Sequence, residues 1–338
     1  MANITVLGSG SWGCTLAIVA LRNRHRVRVW GFFQEEIDRI NADRRAEDYL
    51  PGTRIPEEIY FTSNMEDALD DPDMIMVVVP SHVVRPVVRD LARFLRGTPG
   101  SSVILNAAKG IENDTLFRMS EVIKQELPDR FHDQVCTLSG PSLAREVCAR
   151  IPTLVAVAGK NQKILDQAQS LLMSERFRIY TNSDIIGVEL GGSLKNVIAI
   201  ASGALDGLRF GDNTKGALMT RGLAEMTRLG TALGADPATF SGLAGMGDLI
   251  TTCASKQSRN RYVGERLGQG EKLKDILSQM VMVAEGVKTT ESAYRLAKKT
   301  GVEMPIVEQV YAILFQEKDI LQATSDLMLR EAKSEIWQ

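Results

Sequence analysis

Short runs of apolar residues alternate with longer amphipathic stretches over the first half of the chain. Residues 74–79 read Met-Ile-Met-Val-Val-Val, and a nearly continuous apolar run is typical of a parallel-sheet strand covered on both faces. Stretches such as 14–22, 83–95 and 115–126 have helical spacing instead. This alternation predicts a doubly wound, Rossmann-type α/β domain. The predicted strands are residues 4–7, 27–30, 74–79, 103–106, 135–138, 154–158 and 178–180.

The second half of the chain has helical spacing punctuated by glycine and no further strand pattern. Its predicted helices are residues 184–208, 214–234, 259–267, 272–281, 287–300 and 304–316. Asn182, Ser183 and Asp184 are residues that favour a helix start, and a chain of 338 residues exceeds the usual size of a single core. The sequence therefore predicts an α/β domain at residues 1–182 and an all-α domain at residues 183–338.

Composition and charge exclude several classes of partner. A net charge of −2 gives no electrostatic basis for binding nucleic acid or an anionic membrane. The chain has no run of about 18 apolar residues, so no membrane span is expected. The first residues enter a strand without the pattern of a signal peptide. The four cysteines have no CxxC spacing and there are only three histidines, so no metal site is expected. A reducing cytoplasm is the expected compartment.

A glycine-rich segment follows the first predicted strand and opens the first predicted helix. It carries Gly8, Gly10 and Gly13 in the order GxGxxG. The first glycine permits a tight turn, the second lets the backbone approach a pyrophosphate, and the third lets the helix pack on the strand. Backbone N–H groups and the helix dipole then favour the phosphates. The segment predicts a dinucleotide site, with Ser11 and Trp12 placed to touch the cofactor, although Trp12 suits a core position equally well.

The residues after the second predicted strand leave the choice of dinucleotide open. An acid at this point usually binds the ribose hydroxyls of NAD, but the chain has Trp30-Gly-Phe-Phe33-Gln, with no acid before Glu35. No arginine stands there to bind the 2′-phosphate of NADP. The expected cofactor is therefore NADP or NAD.

Lys195 stands out in the long helix predicted at residues 184–208. Gly191 and Gly192 precede it on the same helical face, and each glycine costs roughly 1 kcal/mol relative to alanine inside a helix. One interpretation is a tight helix crossing with a solvated lysine. The other is a bare surface on which a flat ligand lies beside an ammonium group.

Further polar groups follow predicted strands or open predicted helices. Lys109 comes after the strand at 103–106, at the edge where open α/β sheets bind ligands. The loop Ser139-Gly-Pro-Ser142 can hold an anion with its backbone donors. Ser258-Arg259-Asn260 combines an amide, a guanidinium and a helix start, which suits a phosphate. Each has an ordinary structural alternative, namely a surface lysine, a capped turn and a polar helix start.

Taken together, these segments resemble the bacterial NAD(P)-dependent glycerol-3-phosphate dehydrogenase family, and most of all its biosynthetic members. The resemblance runs nearly from end to end and departs at Phe32-Phe33, where relatives often carry histidine or arginine. The segments that carry it are GSGSWG at 8–13, VVVPSH at 77–82, AAKGIE at 107–112, SGPSLA at 139–144, GVELGGSLKNVIAI at 187–200, TRGLAEMTRLG at 220–230, GLAGMGDLITTC at 242–253, QSRNR at 257–261, VAEGVKT at 283–289 and GVEMPI at 301–306.

The resemblance implies a role for each matching site residue. Catalytic roles fall on Lys195, Lys109 and Asp248. The cofactor contacts it implies, joined to the glycine-rich segment, are Gly8, Gly10, Ser11, Trp12, Gly13, Phe33, Lys109, Ala144, Arg259, Val283 and Glu285. The substrate contacts are Lys109, Gly140, Ser142, Lys195, Asp248, Thr252, Ser258, Arg259 and Asn260.

The implied reaction reduces dihydroxyacetone phosphate to sn-glycerol 3-phosphate with NAD(P)H, for phospholipid synthesis. Lys195 would then deliver a proton across the cleft between the two domains, and the bare face at Gly191 and Gly192 would leave room for nicotinamide and substrate. The resemblance also makes a homodimer plausible. Two alternatives remain, another β-hydroxyacid dehydrogenase and a non-catalytic NAD(P)-binding sensor.

Overall fold

A computed structural model describes residues 1–97, 100–332 and 334–335. All its named strands join one sheet of eight strands in the order β3-β2-β1-β4-β5-β6-β7-β8, which confirms the predicted Rossmann-type domain. The strands are β1 (Asn3–Leu7), β2 (Arg26–Trp30), β3 (Tyr60–Thr62), β4 (Met74–Val77), β5 (Val103–Asn106), β6 (Val135–Ser139), β7 (Thr153–Ala158) and β8 (Phe177–Asn182).

The order of the strands reverses between β1 and β4. Strand β1 pairs in parallel with β2 on one side and with β4 on the other, so the chain leaves β1 at the switch point of the sheet. Helices on both sides of such a point leave a crevice at the carboxyl ends of the strands. The glycine-rich turn after β1 lies at this crevice.

Two features of the sheet differ from the sequence pattern. Strand β3 was not predicted, because its three residues are too few to show a period. Strand β7 runs antiparallel to β6, with Ser139 opposite Ala156. The connection between β6 and β7 therefore starts and ends at the same edge of the sheet, which keeps Gly140 and Ser142 beside the crevice.

Helices cover the sheet and form most of the chain after β8. They are α1 (Ser11–Arg22), α2 (Gln34–Asp43), α3 (Met65–Ala68), α4 (Val84–Leu95), α5 (Met119–Glu126), α6 (Ala144–Cys148), α7 (Gln162–Leu172), α8 (Ile185–Gly207), α9 (Asp212–Ala232), α10 (Pro237–Phe240), α11 (Asp248–Ala254), α12 (Arg259–Gly268), α13 (Leu273–Ser278), α14 (Glu285–Thr300), α15 (Pro305–Gln316) and α16 (Ile320–Met328).

Helix α8 is the centre of the helical half. It packs against α9, α11, α12, α14 and α15. Most of its apolar side chains lie in the core of the helical half, while Ile185 and Val188 pack with Ala158 of β7. Three helices of this half, α10, α11 and α16, were not predicted, since two are short and all lack a long apolar period. The all-α character after residue 183 is confirmed, while the division into two domains at residues 182 and 183 stays a prediction.

Helix α8 is also long and apolar enough to cross a membrane. Within its most apolar window, 89% of the residues are buried inside the protein. A core helix passes the same test of length and composition. The burial of α8 among five other helices marks it as a core helix of this fold.

Candidate active site

The turn between β1 and α1 has open space at Gly10 and no room on its inner side. Gly8 has a φ of +126°, and a Cβ there would lie 2.6 Å from the carbonyl oxygen of Val78, so only glycine fits without strain. A Cβ at Gly13 would overlap the Gly8 carbonyl, whereas a Cβ at Gly10 would meet nothing within 4 Å. The outer face of the turn is therefore open at the start of a 12-residue helix, and its geometry fits a pyrophosphate.

Ser11 and Trp12 follow in the first turn of α1, and both are half-buried. The Trp12 ring lies 6.5 Å from the Phe177 ring, centroid to centroid, and it packs against the core of the sheet. Its core position is therefore clear. Contact of either residue with a cofactor stays a prediction.

An aromatic pair and an acid surround the end of β2. Phe32 and Phe33 are 73% and 64% exposed, with their rings perpendicular and 5.0 Å apart. The Ser9 hydroxyl donates to Oε1 of Glu36 at 2.6 Å, and the Tyr49 hydroxyl donates to Oε2 at 3.1 Å. Glu36 therefore holds the glycine-rich turn from the side of α2. Sequence reasoning missed it because it stands six residues beyond the end of β2, in a helix.

A buried carboxylate joins the two lysines that the sequence singled out. Asp248, 2% exposed, accepts a hydrogen bond at 2.5 Å from Nζ of Lys195 on one oxygen and another at 2.5 Å from Nζ of Lys109 on the other. Nζ of Lys195 also donates to Oγ1 of Thr252 at 2.6 Å, and Nζ of Lys109 to the carbonyl oxygen of Gly140 at 3.3 Å. These residues form the lysine–aspartate cluster.

Three distant segments build this cluster. Lys109 stands in the loop after β5, Lys195 lies in the middle of α8, and Asp248 is the first residue of α11. A π-helical turn at Leu243–Gly247 leads into α11 and aims the carboxylate at α8. The cluster thus joins the carboxyl edge of the sheet to the helical half.

The glycines before Lys195 do not leave a bare surface, and that part of the prediction is wrong. A Cβ at Gly191 would lie 2.6 Å from the carbonyl oxygen of Ala244, and one at Gly192 would overlap the hydroxyl of Ser139. The π-helical turn and the end of β6 already fill the space. The glycines instead let α8 approach closely enough for Lys195 to reach Asp248.

The pKa values of Lys195 and Asp248 are both lowered in the folded protein. Burial lowers the pKa of Lys195 to about 8, with Asp248 opposing the shift and Lys109 adding to it. Burial tends to raise the pKa of Asp248, but the two ammonium groups outweigh it and hold that pKa below its usual value. The result is a permanent carboxylate beside an amine that can change its protonation near neutral pH.

The loop after β6 lies against the cluster. Gly140 has a φ of +138°, and the Ser142 hydroxyl donates to the Gly140 carbonyl at 3.0 Å. Ala144 begins α6 and packs against the core of the sheet. The structure thus brings Gly140 and Ser142 to the lysines, while Ala144 has a packing role.

The Ser258-Arg259-Asn260 segment opens α12, and two of its side chains bind other parts of the protein. Oγ of Ser258 accepts from the N–H of Arg261 at 3.2 Å. Asn260 donates to Oδ1 of Asn196 and accepts from the N–H of Gly286, both at 2.9 Å. Arg259 is exposed and has no hydrogen bond or ion pair within the described parts of the chain. Arg259 is therefore the group of the three that is free to bind a phosphate.

The start of α14 closes a ring of contacts. Glu285 accepts from the Ser81 N–H at 3.0 Å and from the Ser81 hydroxyl at 2.5 Å. A Cβ at Gly110 would overlap the Ser81 side chain, so Ser81 also touches the loop that carries Lys109. The ring runs from Ser81 through α14, Asn260, α8 and Asp248 back to Lys109. Val283, half-buried, stands two residues before Glu285, and Ser81 follows the β4 end that the glycine-rich turn contacts.

Glu189 is another buried acid. It stands in the segment 187–200 that carries the family resemblance, but the sequence assigned no role to it. It lies on α8 six residues before Lys195 and is 5% exposed. It accepts hydrogen bonds from the Ser120 N–H at 2.8 Å, the Ser120 hydroxyl at 2.6 Å and Arg118 at 2.7 Å. These contacts fix α8 to α5. An acid on a mostly apolar helix was the signal that could have revealed it.

No group of three or more His, Cys, Asp or Glu side chains able to hold a metal ion occurs among residues 1–97, 100–332 and 334–335. The four cysteines are free and buried. The groups that meet at the cluster are two amines, a carboxylate and a hydroxyl.

Two family models match the chain almost throughout. Residues 3–165 match the model of the NAD-dependent glycerol-3-phosphate dehydrogenase N-terminus. Residues 184–325 match the model of the C-terminus of the same enzyme. Together they cover both the sheet and the helical half.

Individual relatives agree with the family models. Glycerol-3-phosphate dehydrogenase [NAD(P)+] of Syntrophotalea carbinolica is 50% identical over 334 residues, 99% of either chain. The enzyme of that name from Geobacillus thermodenitrificans is 50% identical over 337 residues, 99% of this chain and 97% of its own. The crystal structure of glycerol-3-phosphate dehydrogenase from Coxiella burnetii, 37% identical, superposes with a TM-score of 0.91 over 97% of this chain and 99% of its own.

Proposed function

This chain belongs to the NAD-dependent glycerol-3-phosphate dehydrogenase family, and we propose that its lysine–aspartate cluster is the catalytic centre. The protein is an NAD(P)-dependent oxidoreductase that interconverts dihydroxyacetone phosphate and sn-glycerol 3-phosphate. One observation carries the assignment of the centre, namely a buried lysine of lowered pKa that a permanent carboxylate holds in place.

Lys195 is proposed as the proton donor to the substrate. A reduced nicotinamide held at the glycine-rich turn would supply the hydride for the ketone carbon. In the reducing direction the Lys195 ammonium polarises the carbonyl and gives its proton to the developing alkoxide. In the oxidising direction the neutral amine takes the proton of the hydroxyl group. A pKa of about 8 suits both directions, because neither form is rare near neutral pH.

Asp248 and Thr252 are proposed to position Lys195, and Lys109 is proposed to contact both substrate and cofactor. Asp248 binds both ammonium groups, so it fixes their separation and prevents either from turning away. Thr252 accepts from Lys195 and donates to Asp248 at 3.2 Å, which leaves the lysine fewer free orientations. Such fixed geometry is what places a donor against a reacting oxygen.

Arg259 is the proposed phosphate ligand of the substrate. Arg259 is an exposed residue at the start of α12. Burial lowers the pKa of its guanidinium and the charge of Glu285 opposes the shift, and a planar pair of donors suits phosphate oxygens. The N–H groups of the first turn of α12 add a favourable dipole. Ser258 and Asn260, its neighbours in the sequence, and Gly140 and Ser142 are the further proposed contacts of the substrate.

The turn Gly8–Gly13 is the proposed pyrophosphate site, with its open outer face at Gly10. The remaining proposed cofactor contacts extend from this turn to the ring of contacts at Ser81. They are Ser11, Trp12, Phe33, Lys109, Ala144, Arg259, Val283 and Glu285.

The wider setting is also proposed. Residues 1–182 form the cofactor domain and residues 183–338 the substrate domain, so that Lys195 meets the cofactor across the cleft between them. Four free, buried cysteines suit a reducing cytoplasm. The enzyme supplies glycerol 3-phosphate for phospholipid synthesis and acts as a homodimer.

The direct test is the loss of absorbance of NADH or NADPH when dihydroxyacetone phosphate is added. We expect turnover with this ketone and none with ketoacids that carry a carboxylate but no phosphate. Turnover of such a ketoacid, with none of dihydroxyacetone phosphate, would point to another β-hydroxyacid dehydrogenase. Cofactor binding without turnover of any ketone would point to a sensor.

Arg259→Ala tests the phosphate pocket. We expect the KM for dihydroxyacetone phosphate to rise roughly 100-fold with a smaller change in kcat, since a charged hydrogen bond is worth roughly 3 kcal/mol. Arg24→Ala is the matched control, because Arg24 is exposed in the turn before β2, at the other edge of the sheet. An unchanged KM in Arg259→Ala removes this residue from the phosphate pocket.

A further inference from the structure

Glu36 places a fixed negative charge against the glycine-rich turn. Its two carboxylate oxygens accept from Ser9 at 2.6 Å and from Tyr49 at 3.1 Å. Ser9 is the residue between the first two glycines of the turn, and Glu36 is only half-buried. The carboxylate therefore borders the turn and is still reached by solvent.

This position is where a dinucleotide's adenosine ribose is recognised. In Rossmann-type domains the ribose lies between the glycine-rich turn and the end of β2, and an acid there binds its 2′-hydroxyl. Here β2 ends at Trp30 without an acid, and Phe32 and Phe33 carry no charge. Glu36 reaches the same place from α2, as its contact with Ser9 shows.

The positive charges nearby are already paired. Arg39 lies 3.6 Å from Asp48, and Arg45 lies 3.3 Å from Glu47. The charged residues that line the cavity beside Glu36 are these four, Glu36 itself and Asp43. Four carboxylates therefore face two guanidinium groups, and the surroundings of Glu36 have a negative balance.

We propose that Glu36 makes this site select NAD(H) over NADP(H), by accepting from the ribose hydroxyls and by repelling a 2′-phosphate. The inference rests on the proposed function, because it takes the glycine-rich turn as the cofactor site. A 2′-phosphate adds about two negative charges beside a carboxylate, with no unpaired cation of this cavity to receive them. A hydroxyl group in the same place adds only a donor.

The test measures binding of the adenosine half alone, without substrate or hydride transfer. ADP-ribose and 2′-phospho-ADP-ribose are titrated into the full-length protein by calorimetry, followed by NADH and NADPH by fluorescence. We expect each unphosphorylated ligand to bind at least tenfold more tightly than its phosphorylated counterpart. Equal affinity for the two members of a pair overturns the selectivity. Failure of all four ligands to bind overturns the cofactor site and with it the proposed function.

Two variants locate the selectivity in Glu36. Glu36→Gln keeps an acceptor for Ser9 but removes the charge, and we expect the preference for ADP-ribose to fall at least threefold through tighter binding of the 2′-phosphate. Adding Phe33→Arg should lower it further. Glu35→Gln is the matched control, since Glu35 is the neighbouring, exposed acid of α2. A preference that is unchanged in Glu36→Gln, or that falls equally in Glu35→Gln, overturns the assignment to Glu36.

Discussion

The glycine-rich turn and the lysine–aspartate cluster are built in opposite ways. The turn is formed by six consecutive residues and offers backbone groups to a ligand. Its glycines are required because two of the three positions have no room for a Cβ. The cluster comes from residues 53 and 139 positions apart and offers charged side chains inside the protein. The turn is thus a local site of uncharged backbone groups, whereas the cluster is a charged site formed by residues far apart in the sequence.

This difference predicts different responses to substitution. A backbone site has no side chain to delete, so it fails only when an added atom distorts it. A buried cluster of charges fails when any member is removed, because the remaining charges lose their partners. Changes in the cluster should therefore affect chemistry, and changes in the turn should affect cofactor binding.

Lys195→Ala should give the largest effect. Losing the proton donor should lower kcat about 1000-fold in both directions, within the usual range for general acid catalysis. The Kd for NADH should stay within about threefold, since the turn is untouched. Steady-state kinetics and a fluorescence titration measure the two quantities separately.

Lys274→Ala is the control for this variant, because Lys274 is exposed on α13. Turnover close to that of the control would remove Lys195 from catalysis. A large loss of NADH affinity would instead show that the two sites are not separable.

Asp248→Asn should come next, with a loss in kcat of about 100-fold at neutral pH. Burial and Lys109 both lower the pKa of Lys195, and Asp248 is the main group that opposes them, so the amine should lose its proton at lower pH. Breaking a buried ion pair should also cost about 3 kcal/mol of unfolding free energy. The pH profile of kcat/KM and urea unfolding measure these effects.

A merely structural role for Asp248 would lower stability and leave the pH profile in place. That outcome would contradict the positioning role. Asp275→Asn, at an exposed acid of α13, controls for the loss of one charge.

Gly13→Ala and Gly10→Ala should separate the two sides of the turn. A Cβ at Gly13 would overlap the Gly8 carbonyl, and relieving this overlap at a cost of about 2 kcal/mol should raise the Kd for NADH roughly 30-fold and lower stability. A Cβ at Gly10 meets no protein atom within 4 Å, so Gly10→Ala should not lower stability. The added methyl group should weaken cofactor binding, because it occupies the side of the turn that the pyrophosphate approaches. Equal unfolding midpoints for the two variants would contradict this account of the turn.

The smallest effect is that of pH on the unmodified enzyme. With a pKa of about 8 for Lys195, the ammonium form decreases about tenfold from roughly pH 7 to pH 9. The kcat/KM for ketone reduction should fall by that factor, while the kcat/KM for alcohol oxidation should rise as the neutral amine forms. Profiles with the same slope in both directions would exclude Lys195 as the group that titrates.

More of the glycine-rich turn than of the lysine–aspartate cluster could be predicted from the sequence. Period and turn chemistry gave seven of the eight strands, and GxGxxG identified the turn, because these signals lie within a few consecutive residues. Lys109 and Lys195 were suspected from their local setting. Their partnership with Asp248 followed only from the family resemblance, since no local pattern records a contact across 139 positions.

The remaining misses share a physical cause. Glu36 and Glu189 take their roles from side chains that reach another element, Ser9 and Ser120 respectively. Gly191 and Gly192 were misinterpreted because the sequence shows that a helix face is bare and not what lies against it. Tertiary packing decided all of these positions.

The long separation within the cluster also has a consequence for folding. Closing loops of 53 and 139 positions is slower and entropically more costly than forming a turn of six residues. During refolding the glycine-rich turn can therefore form while Lys109, Lys195 and Asp248 are still apart. Recovery of turnover should therefore report the closure of these long-range contacts and, with it, the completion of folding.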